Sequence, residues 1–248
     1  MRVLELWRYP VKSMQGERLS VAEVGSQGIV GDRGWALFDT ATGLGLTARR
    51  VPDLLFATGR LRADGEIEVV LPDGTVTTDA AVLSAWLGRS VALRRAGSVD
   101  GPRYESPDDD ENAAEEPPSA SGAVAGPGWH EWQGGDGAFH DIATARVSLV
   151  ATGTLGTWDR RRFRSNVLLD GAGESELTGS RVRVGGAVLD VNDPISRCVM
   201  VTRPQPGGID RDTSVLKTLH RERGGDLAVG AQVRTPGTVR TGDVLQPA

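Results

Sequence analysis

The stretch Arg181-Val182-Arg183-Val184-Gly185-Gly186-Ala187-Val188 decides the fold class. Val182 and Val184 alternate with arginines, two glycines follow, and Val188 resumes the apolar spacing. Period two fits an extended strand with one face buried, and a Gly-Gly pair between two such runs is a two-residue hairpin signal. The same spacing recurs on either side. Val147, Leu149 and Ala151 alternate, as do Leu227, Val229, Ala231 and Val233. Strands are predicted at residues 2–9, 19–24 and 35–39. Ile67, Val69 and Leu71 alternate before the turn Pro72-Asp73-Gly74 and Val76. Helical spacing is sparse. Val82, Ala85 and Trp86 share a face over residues 79–87, with Thr78 or Asp79 as cap and Gly88 as stop. Val215, Leu216 and Leu219 do so over residues 212–223, ended by Gly224. Many short strands and few helices predict a mainly β fold of barrel type, with helices packed outside.

The chain has 248 residues, 39% of them hydrophobic, which is enough for one large β-rich domain or two smaller ones. No apolar run approaches the roughly 18–20 residues of a membrane span. Glu5 interrupts the first apolar stretch, and no signal-peptide pattern is present, so the cytoplasm is the expected compartment. One cysteine excludes an internal disulfide framework and any multi-cysteine zinc site, and His130, His140 and His220 lack metal-ligand spacing. The net charge of −5 is concentrated. Residues 104–128 hold seven acidic side chains and no Lys or Arg, so the remainder is near neutral to mildly basic. That balance suits a small anionic ligand and gives no support for a nucleic-acid surface. Proline, glycine and serine crowd the same stretch, so residues 98–128 read as a flexible linker or insert. It divides the chain into residues 1–97 and 129–248.

Four polar segments interrupt the apolar strand patterns. Tyr9-Pro10-Val11-Lys12-Ser13-Met14 ends a strand at a proline and then presents an amine and a hydroxyl, both donors to an oxyanion. Gly28-Ile29-Val30-Gly31-Asp32-Arg33-Gly34-Trp35 permits a tight turn before an Asp-Arg pair, in which Arg33 offers a planar fork. Residues 159–169 hold four arginines in five positions, and alternation puts Arg162, Arg164 and Asn166 on one face. In Pro194-Ile195-Ser196-Arg197-Cys198-Val199-Met200-Val201-Thr202, a cationic neighbour favours the thiolate of the lone cysteine, a soft ligand for a redox-active metal. Each segment has a plainer reading: an exposed loop, a local ion pair, a solvated basic stretch and a small core thiol.

Together, and in this order, the segments resemble the MOSC family, named from the C-terminal domain of molybdenum cofactor sulfurase. Tyr9–Met14 and Gly31–Trp35 look like its N-terminal β-barrel domain. Phe163–Asn166, Ser196–Cys198 with Thr202, Gly207, Pro236–Val239 and Gly242–Val244 look like the MOSC β-barrel domain itself. The architecture is similar to that of two-domain bacterial members and of mitochondrial amidoxime-reducing components. The resemblance covers nearly the whole chain except the acidic stretch. Two departures are a serine, Ser165, where relatives have proline, and Glu174-Ser175-Glu176-Leu177 where they often have an acidic residue and tryptophan.

The resemblance implies a molybdenum-pyranopterin cofactor with Cys198 as metal ligand and catalytic centre. It assigns Lys12, Ser13, Arg33, Arg164, Asn166, Ser196 and Arg197 to the pterin and its phosphate, with Thr152 and Thr154 as further contacts at a strand end. The implied reaction reduces a small N-hydroxylated or N-oxide substrate. Electrons would come from a separate redox protein, because one cysteine cannot hold an iron–sulfur cluster. The alternative is a sulfur carrier or cofactor-transfer protein, with Cys198 as persulfide or anchor. The pyridoxal-phosphate desulfurase portion of the sulfurases has no match in this sequence.

Overall fold

The computed structural model describes residues 1–108, 128–135 and 137–248. Most of the acidic stretch, residues 109–127, lies outside the described residues, and so does its reading as a flexible insert.

The expected hairpin forms. Arg181–Val184 pairs antiparallel with Ala187–Ser196, and Val184 faces Ala187 across Gly185-Gly186. It lies within an eight-stranded sheet in the order Leu245–Pro247, Arg181–Val184, Ala187–Ser196, Asp226–Thr235, Val147–Ala151, Val167–Leu169, Val3–Arg8, Glu17–Leu19. Only the pair Val147–Ala151 and Val167–Leu169 runs parallel. A three-stranded sheet joins Gly237–Arg240, Val21–Gly25 and Gly28–Ile29. Alternate side chains of both sheets fill one core, including Leu6, Val24, Leu149, Leu189 and Val229.

The first thirty residues therefore build the same core as the second half of the chain. The predicted division after residue 97 does not separate the cores. The strand expected at residues 19–24 is in fact two, because the chain turns a corner at Ser20. Leu19 pairs with Leu6, whereas Val21 pairs with Arg240.

A second core lies between residues 11 and 91. Its walls are the pair Trp35–Asp39 with Val91–Arg95, the strands Thr58–Leu61, Ile67–Val70 and Val76–Thr77, and the helix Ala80–Leu87. Asp79 caps that helix by accepting from the backbone of Ala81 and Val82, and Gly88 closes it in the left-handed region. A third core packs the helix Ser214–Arg223 against Val150, Phe163 and Val199. That helix starts two residues later than predicted, since Asp212 is occupied in accepting from Ser214 at 2.9 Å. No helix of the described residues is long and apolar enough to cross a membrane.

The linker reading fails at its flanks. Arg103–Pro107 is a strand paired antiparallel with Trp129–Gln133. Tyr104, expected in the linker, is fully buried with Phe38 and Phe139. A Cβ on Gly45 would stand 2.2 Å from its ring, so the glycine is needed for this close approach. An aromatic ring of this size removes about 150–250 Å² from water, which offsets much of the ordering cost of the short strand. The acidic composition of the stretch concealed this anchor.

The alternation proposed for residues 159–169 also fails. Arg160–Arg162 is a 3-10 turn capped by Asp159, and the strand is confined to Val167–Leu169. Arg164 lies between them with a left-handed backbone, φ +52°.

Candidate functional site

A cavity of about 390 Å³ opens where the cores of the two halves meet. Lys12, Ser13, Arg33 and Arg49 reach it from the first half, and Arg162, Arg164, Ser196, Arg197 and Cys198 from the second. Ser106, His130 and Trp132 of the Tyr104 hairpin, with His140 and Asp141, complete the polar wall. Six of these side chains are Lys or Arg, and among the described residues Asp141 is the only carboxylate lining the cavity.

The backbone marks the same place. Among the described residues, four non-glycine residues have positive φ, and three of them, Ser13 at 67°, Arg33 at 51° and Arg164 at 52°, line this cavity. Each costs on the order of 1–2 kcal/mol, and such strain collects where side-chain direction matters more than stability. Ser13 Oγ accepts from Ala48 N at 3.0 Å, which fixes the turn that follows Pro10.

Arg33, Arg164 and Arg197 form one pole. The Arg164 guanidinium lies 4.5 Å from the Tyr9 ring centre, and Arg33 Nη2 donates to Arg164 O at 3.4 Å. Arg33 is paired with Asp32, whose other oxygen accepts from Tyr9 N at 2.7 Å. Arg197 donates from Nε to Leu227 O and from Nη1 to Phe163 O, each at 2.8 Å. Arg164 Nη1 and Arg197 Nη2 are buried and have no hydrogen-bond partner among the described residues. Burial lowers both guanidinium pKa values to about 10, with Arg33 adding to the effect. They therefore remain charged at neutral pH while their donors go unsatisfied. An oxyanion would satisfy both, so the donor set fits a ligand bearing a phosphate.

Lys12 belongs to a second pole. Its ammonium donates to Phe139 O at 3.0 Å and to Asp141, and lies 4.5 Å from the centre of the Tyr104 ring. Burial lowers the Lys12 pKa, and Asp141 opposes that shift. Burial alone would raise the Asp141 carboxyl, but Lys12, Arg49 and Arg33 together hold it well below the usual carboxylate range. Arg49 Nη2 meets its second oxygen at 3.1 Å. His140 is held neutral: burial and then Arg33 push its pKa down to about 3.

Cys198 is half-buried on the cavity wall, ahead of the 3-10 turn Val199–Thr202. Among the described residues, no cluster of three or more His, Cys, Asp or Glu could hold a metal ion. A metal here would take one ligand from Cys198 and the rest from the group that carries it.

Of the residues singled out in the sequence, Lys12, Ser13, Arg33, Arg164, Ser196, Arg197 and Cys198 converge on the cavity. The Ser196 hydroxyl donates to Asp226 at 2.7 Å, which fixes its orientation. Asn166 does not line the cavity. Its Oδ1 accepts from Ser148 N and Oγ at 3.1 and 2.9 Å, and its Nδ2 donates to Trp7 O at 3.2 Å. It is spent on tying Val3–Arg8 to Val147–Ala151. Thr152 and Thr154 also stand elsewhere, in the short helix Thr152–Leu155. Thr152 donates to Gly171 O, and Thr154 to Glu174 at 2.5 Å.

Sequence reasoning missed Arg49, Trp132, His140 and Asp141. Arg49 had a signal, since Arg49-Arg50 stands between the apolar residues Leu44, Leu46 and Ala48 on one side and Val51, Leu54 and Leu55 on the other, and both arginines are buried. The others arrive through the hairpin and the segment after it, which no local pattern connects to Lys12.

The family model of the MOSC N-terminal beta barrel domain matches residues 1–109, and that of the MOSC domain matches residues 130–246. The molybdenum cofactor sulfurase of Drosophila grimshawi is 27% identical over 251 residues, covering 94% of this chain and 32% of the relative. That of Drosophila mojavensis is 27% identical over 255 residues, with the same coverage. The chain thus spans about a third of the length of these curated relatives. Among solved structures, the YuaD protein from Bacillus subtilis is similar over 98% of this chain and 93% of its own, at 12% identity and TM-score 0.42. YiiM from Geobacillus stearothermophilus is similar over 42% of this chain and 54% of its own, at 16% identity and TM-score 0.35.

Proposed function

We propose that this chain, which belongs to the MOSC family and has its N-terminal β-barrel domain ahead of its MOSC domain, binds a molybdenum-pyranopterin cofactor in the cavity between its two halves. One observation carries the reading. Two buried guanidinium groups with unsatisfied donors, Arg164 and Arg197, line the same cavity as the only thiol of the chain. A phosphorylated ligand with a thiophilic metal answers both features.

When bound, the group supplies two-electron redox chemistry at its metal. The residues of the chain bind, orient and neutralise. Arg164 and Arg197 take the phosphate-bearing end, with Arg33 holding the Arg164 carbonyl and adding positive charge. Lys12 and Ser13 face the ligand from the first half. Cys198 presents a sulfur ligand from the second, next to Arg197, whose charge favours thiolate. The Tyr104 hairpin walls one side with Ser106, His130 and Trp132, and would limit the size of substrate that reaches a bound metal. The reaction that this arrangement serves is reduction of a small N-hydroxylated or N-oxide compound. Two electrons, delivered by a separate redox protein, and two protons cleave the N–O bond and release water.

Replacing Cys198 tests the assignment. In protein made in a cofactor-competent host, Cys198→Ala is expected to lose bound molybdenum and turnover of N-hydroxylated substrates while keeping its circular dichroism spectrum. Molybdenum content and turnover equal to those of the native protein would reject the role of Cys198. The curated relatives, named as sulfurases, favour a second reading in which Cys198 carries sulfur. A persulfide on purified Cys198, found by mass spectrometry without any turnover of N-oxygenated compounds, is the result that reading expects.

A further inference from the structure

Four arginines crowd residues 160–164, and of these only Arg164 belongs to the proposed anion pole. Two of the others act on the loop that follows Cys198. From Cys198 the chain makes the 3-10 turn Val199–Thr202 and doubles back through a bridge between Gln205 and Ile209. It closes where Asp212 N donates to Thr202 O at 2.9 Å. A loop with so few ladder bonds opens at low cost unless something outside it holds its carbonyls.

Arg162 and Arg161 hold them. Arg162 Nη1 donates to Val201 O at 3.1 Å and Arg203 O at 3.4 Å, and its Nη2 donates to Asp210 O at 2.8 Å. Arg161 Nη1 donates to Pro206 O at 2.9 Å. The Arg161 guanidinium is itself fixed by Asp159, at 3.0 Å through Nε and 2.7 Å through Nη2. Two side chains thus gather four carbonyls spread along residues 201–210. Gly207 is fitted to the same contact: its φ is +74°, and a Cβ there would stand 2.8 Å from Arg161 Nη1. On the near side, Arg197 donates to Phe163 O and binds the residue before the thiol to the same arginine run.

We propose that Arg161 and Arg162 form a clamp that fixes the loop beginning at Cys198 and so sets where the thiol stands on the cavity wall. They are positioning residues, acting through backbone carbonyls. Arginine is required for geometric reasons. A planar fork with five donors spans several carbonyls at once, whereas an ammonium at the end of a flexible stem is a single point. The clamp rests on the geometry of the loop. Its bearing on metal ligation rests on the cofactor reading above.

The test needs no cofactor. Cys198 is the only cysteine, so alkylation by iodoacetamide reports this thiol alone. The full-length, ligand-free protein is compared with Arg162→Lys, which keeps the charge and loses the fork, and with Gly207→Ala, which displaces Arg161. Both variants are expected to alkylate about tenfold faster, the scale for losing one charge-assisted hydrogen bond. Hydrogen exchange should quicken over residues 199–212 and stay unchanged in the strands Val147–Ala151 and Asp226–Thr235. Arg162→Lys alkylating at the native rate would overturn the clamp, because charge alone would then suffice. Exchange quickening equally in those strands would overturn it too, because the arginines would then serve only global stability. Loss of the cofactor reading would leave these rates untouched, so the two ideas fail separately.

Discussion

Arg164→Gly is expected to separate stability from binding at this cavity. Truncating a large buried side chain ordinarily costs about 3–5 kcal/mol. Arg164 departs from that pattern in two ways. Its φ of +52° is a conformation that glycine adopts freely, so the substitution relieves about 1 kcal/mol of strain. Its Nη1 is buried without a partner among the described residues, and removing that donor returns about 1–3 kcal/mol. Against these stand the loss of the contact with the Tyr9 ring, about 2 kcal/mol for a desolvated pair, and the larger conformational freedom of glycine in the unfolded chain, about 0.5–1 kcal/mol. The deleted side chain enlarges an existing cavity, so no new sealed void forms. The terms nearly cancel, and the melting temperature should move by only a few degrees, at about 2–4 °C per kcal/mol for a chain of this size. Binding has no such compensation. One charge-assisted hydrogen bond to an oxyanion, about 1.5–3 kcal/mol, corresponds to roughly a ten- to 150-fold loss of affinity. The assay is calorimetric titration of ligand-free protein with inorganic phosphate and pyrophosphate, beside thermal melts at matched ionic strength in chloride. A melting temperature lowered by more than about 10 °C, or phosphate affinity equal to that of the native protein, would refute the reasoning.

Two further substitutions test other placements. Thr154→Val removes the bond to buried Glu174, so urea denaturation should show about 1–3 kcal/mol of lost stability with phosphate affinity unchanged; weakened phosphate binding would return Thr154 to the site. His140 gives a pH dependence with a definite sign. Its pKa is 6.5 in the unfolded chain and about 3 when folded, so below 6.5 the unfolded state binds more protons and stability falls with acidity until about pH 3. His140→Gln should flatten that slope between neutral pH and pH 4.5 in urea titrations, and identical slopes in variant and native protein would count against the buried neutral imidazole.

The site was legible where chemistry is local. A lysine after a strand-ending proline, an Asp-Arg pair in a glycine turn and a lone cysteine beside an arginine are composition signals, and Lys12, Arg33, Arg197 and Cys198 all reach the cavity. The warrant for Arg164 was nonetheless wrong in its geometry. A left-handed turn, rather than strand alternation, aims its side chain, and left-handed backbone at an arginine has no sequence signature. Asn166 and the threonines at 152 and 154 stand off the cavity for a related reason. Their polarity is consumed by neighbouring strands and by Glu174, partners distant in sequence.

The β character, the hairpin at Gly185-Gly186 and the stops at Gly88 and Gly224 are fixed by the sequence alone, because apolar period and glycine conformation act within a few residues. The tertiary structure alone decided which strands share a core. Residues 3–29 and 147–239 close one core by pairings between segments far apart in the chain, such as Ala22 with Val239. It also decided that Tyr104 and Trp132, on either side of an acidic stretch, would stack beside Lys12, with Trp132 on the cavity wall. Burial of an aromatic ring is settled by what comes to cover it, and that cover is made from segments no local pattern connects.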